Sequence, residues 1–392
     1  MMQLRFFRWL AVGLAGGFCL AAGAAPRARA LGVPFAGAAG PLNAITDVAG
    51  VEVGEVTLIR GAGPGAVRTG VTAIFPRGRG FTGRVFAATG VLNGNGEMTG
   101  AAWIDESGAL GAPIVLTNTL GVGVARDAAI AWFMHNHPQA PLDDACLPVV
   151  AETWDGFLND INGFHVRAED VRAALDGAGG GPVAEGNTGG GTGMVAFGFK
   201  GGTGTASRVL AAADGGYAVG VLVQANFGRR ENLAIAGVPV GRAIPDLVPS
   251  RGAPADGAGS IIVVVATDAP LLPGQLRRLA RRAELAVGIA GGRGENSSGD
   301  FMLAFSTANA GEASKIRGEA QARFLPNERL NPLFNAVVQA TEEAIVNALV
   351  AAETMTGVDG HVVYALPHDR LQTILQAYHR YEPPPRAIAT AR

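Results

Sequence analysis

Runs of apolar residues separated by turn-forming residues divide the chain into predicted strands and helices. Short apolar runs between Gly, Asn and Pro clusters predict strands at 51–58, 70–75, 85–92, 113–116, 147–150, 194–199, 217–225, 261–266, 301–307 and 361–366. Apolar residues at helical spacing predict helices at 125–134, 167–175, 276–287, 333–355 and 369–378. Because these strand and helix blocks do not alternate strictly, the pattern favours an α+β fold in which helices cover packed sheets.

The chain changes character abruptly at Ser260. Residues 249–259 are rich in Pro and Gly and have no apolar period. The run from Ile261 to Ala266 is unbroken and largely β-branched, which is typical of a strand buried on both faces. Ser260 therefore lies between a loose segment and a core strand.

Two interpretations of the Gly259-Ser260 junction follow from the residues. On pattern alone, the simpler one is an ordinary loop that enters a core strand. The other is a self-cleavage point, since Gly259 has no Cβ and its carbonyl can be approached by the Ser260 hydroxyl. An N→O acyl shift and hydrolysis would then expose Ser260 as a new N-terminus. Its α-amine, with an ordinary pKa of about 7.7–8.0, would be a base beside its own hydroxyl.

Composition narrows the classes of function. The chain has 392 residues, of which 58 are Gly, and so much Gly implies tight turns and argues against a helical bundle. The 31 basic and 33 acidic residues are nearly balanced, so nothing points to nucleic acid or to an anionic membrane as a partner.

Residues 1–30 predict a secretory signal peptide, and hence a periplasmic or secreted protein. A basic start precedes the apolar run Leu10–Ala25, which is short for a membrane span; a retained anchor is the alternative. Ala22-Gly23-Ala24 and Ala28-Arg29-Ala30 are both candidate cleavage signals. After cleavage Cys146 would be the one remaining cysteine, which excludes an internal disulfide. At the other end, the Pro-rich chain from about residue 380 predicts a flexible tail.

The stretch Gly259–Leu276 resembles the self-processing L-aminopeptidase/D-esterase and β-peptidyl aminopeptidase family. The resemblance extends from Asn43 to about Tyr378, with further matching patches at 93–103, 116–119 and 186–208. It implies a four-layer α-β-β-α sandwich of the N-terminal-nucleophile type, in a single globular domain. It also favours the cleavage interpretation, with a larger chain of residues 31–259 and a smaller chain of residues 260–392.

The resemblance assigns Ser260 as the nucleophile and places Ser298 and Asp300 beside it. On the residues alone, Asn296–Asp300 is a polar turn with a capping Asp. The family has Ser-Gly-Glu here, and the Ser and the carboxylate orient the nucleophile and relay a proton. Asp300 is one methylene shorter than Glu, so its reach is the less certain part of the assignment.

Three residues of the larger chain complete the site that the resemblance implies. Asn226, an ordinary strand-end turn residue by pattern, corresponds to the family Asn that donates its amide to the oxyanion. Glu152 corresponds to the Glu that holds the substrate ammonium, although its pattern also fits a surface acid. Trp154 stands where some members have Tyr, so it either walls the pocket or leaves out the contribution of the Tyr hydroxyl.

Two further motifs could suggest a nucleotide site or a metal site, but the residues around them favour neither. Gly186–Gly193 lacks a Gly-Lys-Ser/Thr ending and precedes a predicted strand, so we expect a backbone crossing near the site instead of a nucleotide site. His135 and His137 lie at a predicted helix end without a carboxylate or cysteine cluster nearby, so we expect no metal.

Together with the resemblance, the sequence predicts an autoproteolytic serine aminopeptidase that needs no cofactor and removes N-terminal residues from short peptides, amides or esters, with β-peptides as a further substrate class. A self-processing acyltransferase of the ornithine acetyltransferase type is an alternative, although those enzymes usually expose Thr. A non-enzymatic periplasmic binding protein with an inert Gly259-Ser260 junction is another. The resemblance further implies a homo-oligomer of processed heterodimers.

Overall fold

Two stacked β-sheets form the centre of the protein. The computed structural model describes residues 26–140, 147–250, 259–315 and 317–383. Within these residues sheet A has, in spatial order, β1 (Glu52–Arg60), β2 (Val67–Phe75), β5 (Ile114–Asn118) and β6 (Val149–Thr153). Sheet B has, in spatial order, β4 (Ala109–Leu110), β3 (Val85–Gly94), β12 (Ser298–Ser306), β11 (Gly259–Thr267), β10 (Ala218–Asn226) and β9 (Gly202–Val209). Two short pairs are β7 (Val195–Ala196) with β8 (Phe199–Lys200), and β13 (Met355–Thr356) with β14 (Val362–Val363).

Helices pack on the outer face of each sheet, and the inner faces contact each other. Sheet A is covered by α2 (Val122–Asn136) and α3 (Ala168–Asp176). Sheet B is covered by α5 (Pro273–Ala290) and α7 (Asn331–Val350). The other described helices are α1 (Ala101–Ser107), α4 (Val240–Ala243), α6 (Ala310–Ala313) and α8 (His368–Ala377). The layer order confirms the predicted α-β-β-α sandwich in a single domain.

Strand β11 lies inside sheet B and is buried on both faces, as its apolar run predicts. Ile261, Val263 and Val265 contact the core under α5 and α7. The alternate residues, such as Ile262 and Val264, contact the core between the two sheets. A strand with two apolar neighbouring layers requires apolar residues at every position, which explains the absence of polar alternation.

Helix α5 connects the parallel strands β11 and β12. Pro273 occupies its first turn, where the missing N–H costs nothing, and Gly291 ends it in the left-handed region at φ 108°. Its apolar face, which includes Leu276 and Leu279, packs on sheet B. The crossover returns the chain to the same sheet edge, so the start of β12 lies beside the start of β11.

Two sequence predictions of secondary structure are wrong in detail, and one strand was missed. The predicted strand 194–199 is the hairpin of β7 and β8, because Phe197 and Gly198 adopt positive φ values of 52° and 67°. The last long helix ends at Val350, before its predicted end at residue 355. Strand β9 was not predicted, because its small residues lack an apolar pattern. They let α7 approach closely: a Cβ on Gly204 would lie 2.1 Å from the carbonyl oxygen of Ala344.

Both ends of the described chain pack on the fold. Residues 28–31, at the end of the predicted leader, form a 3-10 turn in which Ala28 is fully buried. Residues 1–25 of the predicted leader lie outside the described residues. At the start of the predicted flexible tail, Tyr381 packs on the core and the N–H of Glu382 donates to the carbonyl of Gly32. Residues 384–392 lie outside the described residues. No helix in the described part of the chain is long and apolar enough to cross a membrane.

Candidate active site

Ser260 is the second residue of β11 and lies between the ends of two neighbouring strands. It pairs with Asn226 of β10 on one side and with Gly299 of β12 on the other. The backbone N–H of Gly299 donates to the Ser260 hydroxyl oxygen at 3.1 Å. Ser260 is 5% exposed and lines a cavity, so its hydroxyl is sheltered but reachable.

Gly259 is held in a space that admits no side chain. A Cβ at this position would lie 2.3 Å from the carbonyl oxygen of Asn226. The absence of a Cβ therefore lets the strand before Ser260 pack against the end of β10. The same absence leaves the Gly259 carbonyl open to the neighbouring hydroxyl.

Ser298 and Asp300 come beside Ser260 through the parallel register of β11 and β12. Gly259 pairs with Ser298, and Ile261 pairs with Asp300. The Ser298 hydroxyl donates to Asp300 Oδ1 at 2.6 Å. Both side chains are buried. The shorter Asp thus reaches the Ser hydroxyl directly.

Burial raises the pKa of Asp300 to about 6. The hydrogen bonds from Ser298 and from the Ile261 N–H act against that rise, and the nearby charge of Glu295 adds to it. A carboxyl with a pKa near neutrality can take up and release a proton at working pH, which suits general acid–base catalysis. Asp300 therefore combines a pKa near neutrality with a position next to Gly299, the residue that pairs with Ser260.

The amide of Asn226 has a fixed orientation opposite Ser260. Its Oδ1 accepts a hydrogen bond from the Val195 N–H at 2.7 Å, and its Nδ2 donates to the Trp154 carbonyl at 2.9 Å. Since an amide nitrogen has two N–H groups, the second one is not used by that bond. The Val195 bond identifies the oxygen and the nitrogen of the amide, so the donor end is the end that faces the Trp154 carbonyl.

Glu152 brings a buried carboxylate from sheet A to the same cavity. It is 4% exposed, near the end of β6. Its Oε1 accepts the Glu97 N–H at 3.1 Å, and its Oε2 accepts the Thr119 hydroxyl. Burial raises its pKa, while those two hydrogen bonds oppose the rise and the Glu97 charge adds to it. This carboxylate is oriented by neighbours and has no cationic partner among the cavity-lining residues.

The cavity has a volume of about 690 Å³. It is lined by Asn95, Gly96, Glu97, Thr119, Val122, Glu152, Trp154, Gly259, Ser260 and Ser297. Its charged lining residues are Glu97 and Glu152, so the cavity favours a cationic group. Trp154 is 37% exposed and forms part of the wall.

The structure brings all the predicted site residues together, from both sheets. Sequence reasoning missed the residues that shape the cavity. Asn93 donates its side-chain amide to the Glu295 carbonyl at 3.1 Å, and Asn95 donates to the Ser297 carbonyl at 3.0 Å. These bonds hold the loop before β12 against the end of β3 and the residue that follows it. Asn93 and Asn95 lie in the patch 93–103 that resembles the family, and this resemblance was the sequence feature that could have indicated them.

The glycine-rich segment 186–193 crosses between the sheets, near the site. A Cβ on Gly190 would lie 2.0 Å from Gln224 Oε1, and one on Gly191 would lie 2.1 Å from the Thr203 nitrogen. The chain beyond it supplies the Val195 N–H that orients Asn226. Within the described ranges, no group of three His, Cys, Asp or Glu side chains could hold a metal ion.

The chain is similar to known proteins over most of its length. The chain is 51% identical over 397 residues to "Beta-peptidyl aminopeptidase BapA" of Sphingosinicella microcystinivorans, covering 97% of this chain and 99% of the relative. A β-aminopeptidase structure from Burkholderia sp. has a TM-score of 0.83 at 48% identity, over 90% of this chain and 99% of that one. The L-aminopeptidase D-Ala-esterase/amidase of Ochrobactrum anthropi, described as a prototype serine aminopeptidase with a variant Ntn hydrolase fold, has the same TM-score and identity over 91% and 99%. The model of peptidase family S58 matches residues 43–363, and the chain therefore belongs to this family of peptide-bond hydrolases.

Proposed function

We propose that this protein is a self-processing serine aminopeptidase that removes N-terminal residues from short peptides, amides or esters, β-peptides included. The observation that supports it most is the meeting in one cavity of Ser260 with a buried carboxylate, Glu152. The proposal includes export to the periplasm or medium, supported by the leader-like residues 1–24. It also includes assembly into a homo-oligomer of processed heterodimers, which rests on the family resemblance.

Self-cleavage begins when the Ser260 hydroxyl attacks the Gly259 carbonyl. The C–N bond breaks as the C–O bond forms, the Gly259 acyl group moves to the Ser260 oxygen, and the hydroxyl proton passes to the released amine. One water then hydrolyses the ester. The products are a larger chain that ends in the Gly259 carboxylate and a smaller chain that begins with Ser260.

The same hydroxyl then attacks the substrate carbonyl. The freed Ser260 α-amine accepts its proton, because an N-terminal amine with a pKa near 8 is a competent base. The second N–H of Asn226 stabilises the oxyanion, and the Gly299 N–H that reaches the hydroxyl oxygen lies where it can assist. The leaving amine takes up the proton, and water releases the acyl group. Asp300, through Ser298, orients these groups and relays protons.

Glu152 accounts for aminopeptidase selectivity. A buried carboxylate forms its strongest bonds with a cation, and a substrate's free ammonium provides one. An internal peptide bond has no such charge at the corresponding place. The carboxylate would therefore select chain ends and reject internal segments.

Intact mass under denaturing conditions tests the proposal, with Ser260→Ala as the control. Wild type should separate into two chains divided between residues 259 and 260 and should hydrolyse aminoacyl p-nitroanilides. Ser260→Ala should remain one chain without activity. One uncut wild-type chain without activity would contradict the proposal and favour a binding protein. Acetyl transfer between amino acids in place of hydrolysis would favour an acyltransferase.

A further inference from the structure

Residues 27–32 contact both of the chains that self-cleavage would create. The Arg29 guanidinium binds Glu343 of α7 with its Nε at 2.8 Å from Oε1 and its Nη2 at 2.8 Å from Oε2. The Glu343 side chain is fully buried and also pairs with Arg208 Nη2 at 2.8 Å. Arg29 and Arg208 precede Ser260 in the chain, and Glu343 follows it. The ion pair therefore joins the two prospective chains.

Backbone groups of the same segment extend this contact. The N–H of Ala28 donates to Asn347 Oδ1 of α7 at 3.0 Å, and the carbonyl of Leu31 accepts Gln372 Nε2 of α8 at 3.2 Å. The carbonyl of Gly32 accepts the N–H of Glu382 at 2.9 Å. Each partner belongs to the part of the chain after Ser260.

Arg27 contacts only the larger prospective chain in the bonds that the structure shows. Its guanidinium donates to the Leu42 carbonyl at 2.9 Å, to the Asn43 carbonyl at 2.8 Å and to Glu185 Oε1 at 3.1 Å. It also donates to the Thr205 carbonyl. The Glu185 side chain is 7% exposed. Removal of Arg27 would leave this carboxylate without its ionic partner in a site that water barely reaches, which is costly.

We propose that residues 27–32 form a clamp that holds the smaller chain to the larger one. The leader is cut after Ala24, so the clamp is retained after leader removal. Cutting after Ala30 would remove both arginines and the Ala28 N–H from their buried partners. Hydrolysis of the bond between Ala24 and Ala25 by the host's leader peptidase consumes one water and leaves the clamp complete. The holding role rests on the proposed self-cleavage, whereas the position of the leader cut does not.

The leader position is tested by the intact mass of the protein exported from a host with a secretory pathway. Both wild type and Ser260→Ala are measured, since the first residue can be read on cut and uncut chains alike. A first residue of Ala25 is expected. A first residue after Arg27, or retention of residues 1–24, would overturn the proposal, and a first residue of Pro26 or Arg27 would overturn the position of the cut alone. A single uncut wild-type chain with a correct start would instead contradict the proposed function.

Substitutions of Arg29 and Arg27 test the clamp and provide its matched control. Of these two arginines, only Arg29 makes an ion pair with the smaller prospective chain. In processed protein, Arg29→Ala should release at least about tenfold more free smaller chain in native mass spectra under mild urea than wild type does. Arg27→Ala should lower the unfolding midpoint with less release. In the uncut Ser260→Ala background neither change should release a chain. Equal release by Arg27→Ala and Arg29→Ala, or none by Arg29→Ala, would overturn the clamp.

Discussion

Ser298 donates its hydroxyl to Asp300 Oδ1 at 2.6 Å, two residues along the same buried strand. Alternate residues of a strand point to the same face, and Ser298 and Asp300 lie on either side of Gly299, the residue that pairs with Ser260 of β11. The carboxylate reaches the Ser hydroxyl directly, without a longer side chain.

Asp300→Asn should lower kcat about 10²- to 10⁴-fold, because the amide cannot relay a proton. Asp300→Glu keeps a carboxylate and should give a kcat within about tenfold of wild type. Self-cleavage rate, followed by intact mass, and p-nitroanilide kcat are both measured for each variant. Wild-type rates in Asp300→Asn would remove Asp300 from the mechanism.

The pH dependence of kcat should show two ionisations on its acid side. The Ser260 amine must be neutral to act as a base, and its pKa is near 8 when unperturbed. Below that pH, log kcat should therefore fall with decreasing pH with a slope of about one. Burial raises the pKa of Asp300 to about 6, and below that pH its carboxylate is lost as well. The slope should steepen to about two there. Asp300→Asn should keep the first slope and lose the second.

The ionisation of Asp300 that raises kcat with increasing pH should lower the stability of the fold. The pKa of Asp300 is above its ordinary value of 3.8, so the fold favours the protonated form. Stability from this group is therefore present below about pH 4 and is lost as pH rises through about 6. Relative to Asp300→Asn, the thermal midpoint of wild type should fall across this interval. A constant difference between the two proteins would contradict the raised pKa.

Asn226→Asp tests the oxyanion donor with the least change of shape. The variant keeps an oxygen for the Val195 N–H but loses the amide N–H groups. Loss of one such donor typically lowers kcat about 10²- to 10³-fold, and the new negative charge adds to that loss. Steady-state kinetics on processed protein give the value. A kcat within threefold of wild type would show that another group holds the oxyanion.

Glu152→Gln should reduce kcat/KM for substrates with a free ammonium about 10- to 100-fold, since charge-assisted hydrogen bonds are worth about 1.5–3 kcal/mol. Ester analogues without the amine should be unaffected. Thr119→Val removes only the hydroxyl donor to Glu152 and should have a smaller effect. Equal losses on both substrate types would point to a structural role for Glu152.

Glu97 should influence which N-terminal side chains are accepted. It lines the cavity, its side chain is exposed, and the other charged lining residue, Glu152, is also acidic. Glu97→Gln should lower the preference for basic over neutral N-terminal residues about two- to fivefold, as expected for an exposed charge pair. Glu106→Gln makes the same change of net charge at an exposed position outside the cavity lining and should leave the preference intact. An unchanged ratio in Glu97→Gln would contradict this role.

The sequence alone determined the elements that depend on neighbours along the chain. The unbroken run 261–266 predicts β11, because a strand covered on both faces must be apolar throughout. Helical spacing and Pro273 predict α5 in the same local way. The patch from Gly259 to Leu276 also carried enough resemblance to indicate the nucleophile.

The tertiary structure decided which residues come together in the candidate active site. The parallel register that sets Ser298 and Asp300 beside Ser260, and the approach of Glu152 from the other sheet, depend on strand order across long stretches of chain. Local pattern does not report strand order, because pairing is fixed by the packing of whole layers. Strand β9 could not be predicted for the same reason. Its glycines are required because the backbone of α7 packs closely against the strand, and the local sequence does not show that contact. Arg27 and Arg29, which look like leader residues in the sequence, are anchored by Glu185 and Glu343, more than 150 positions away.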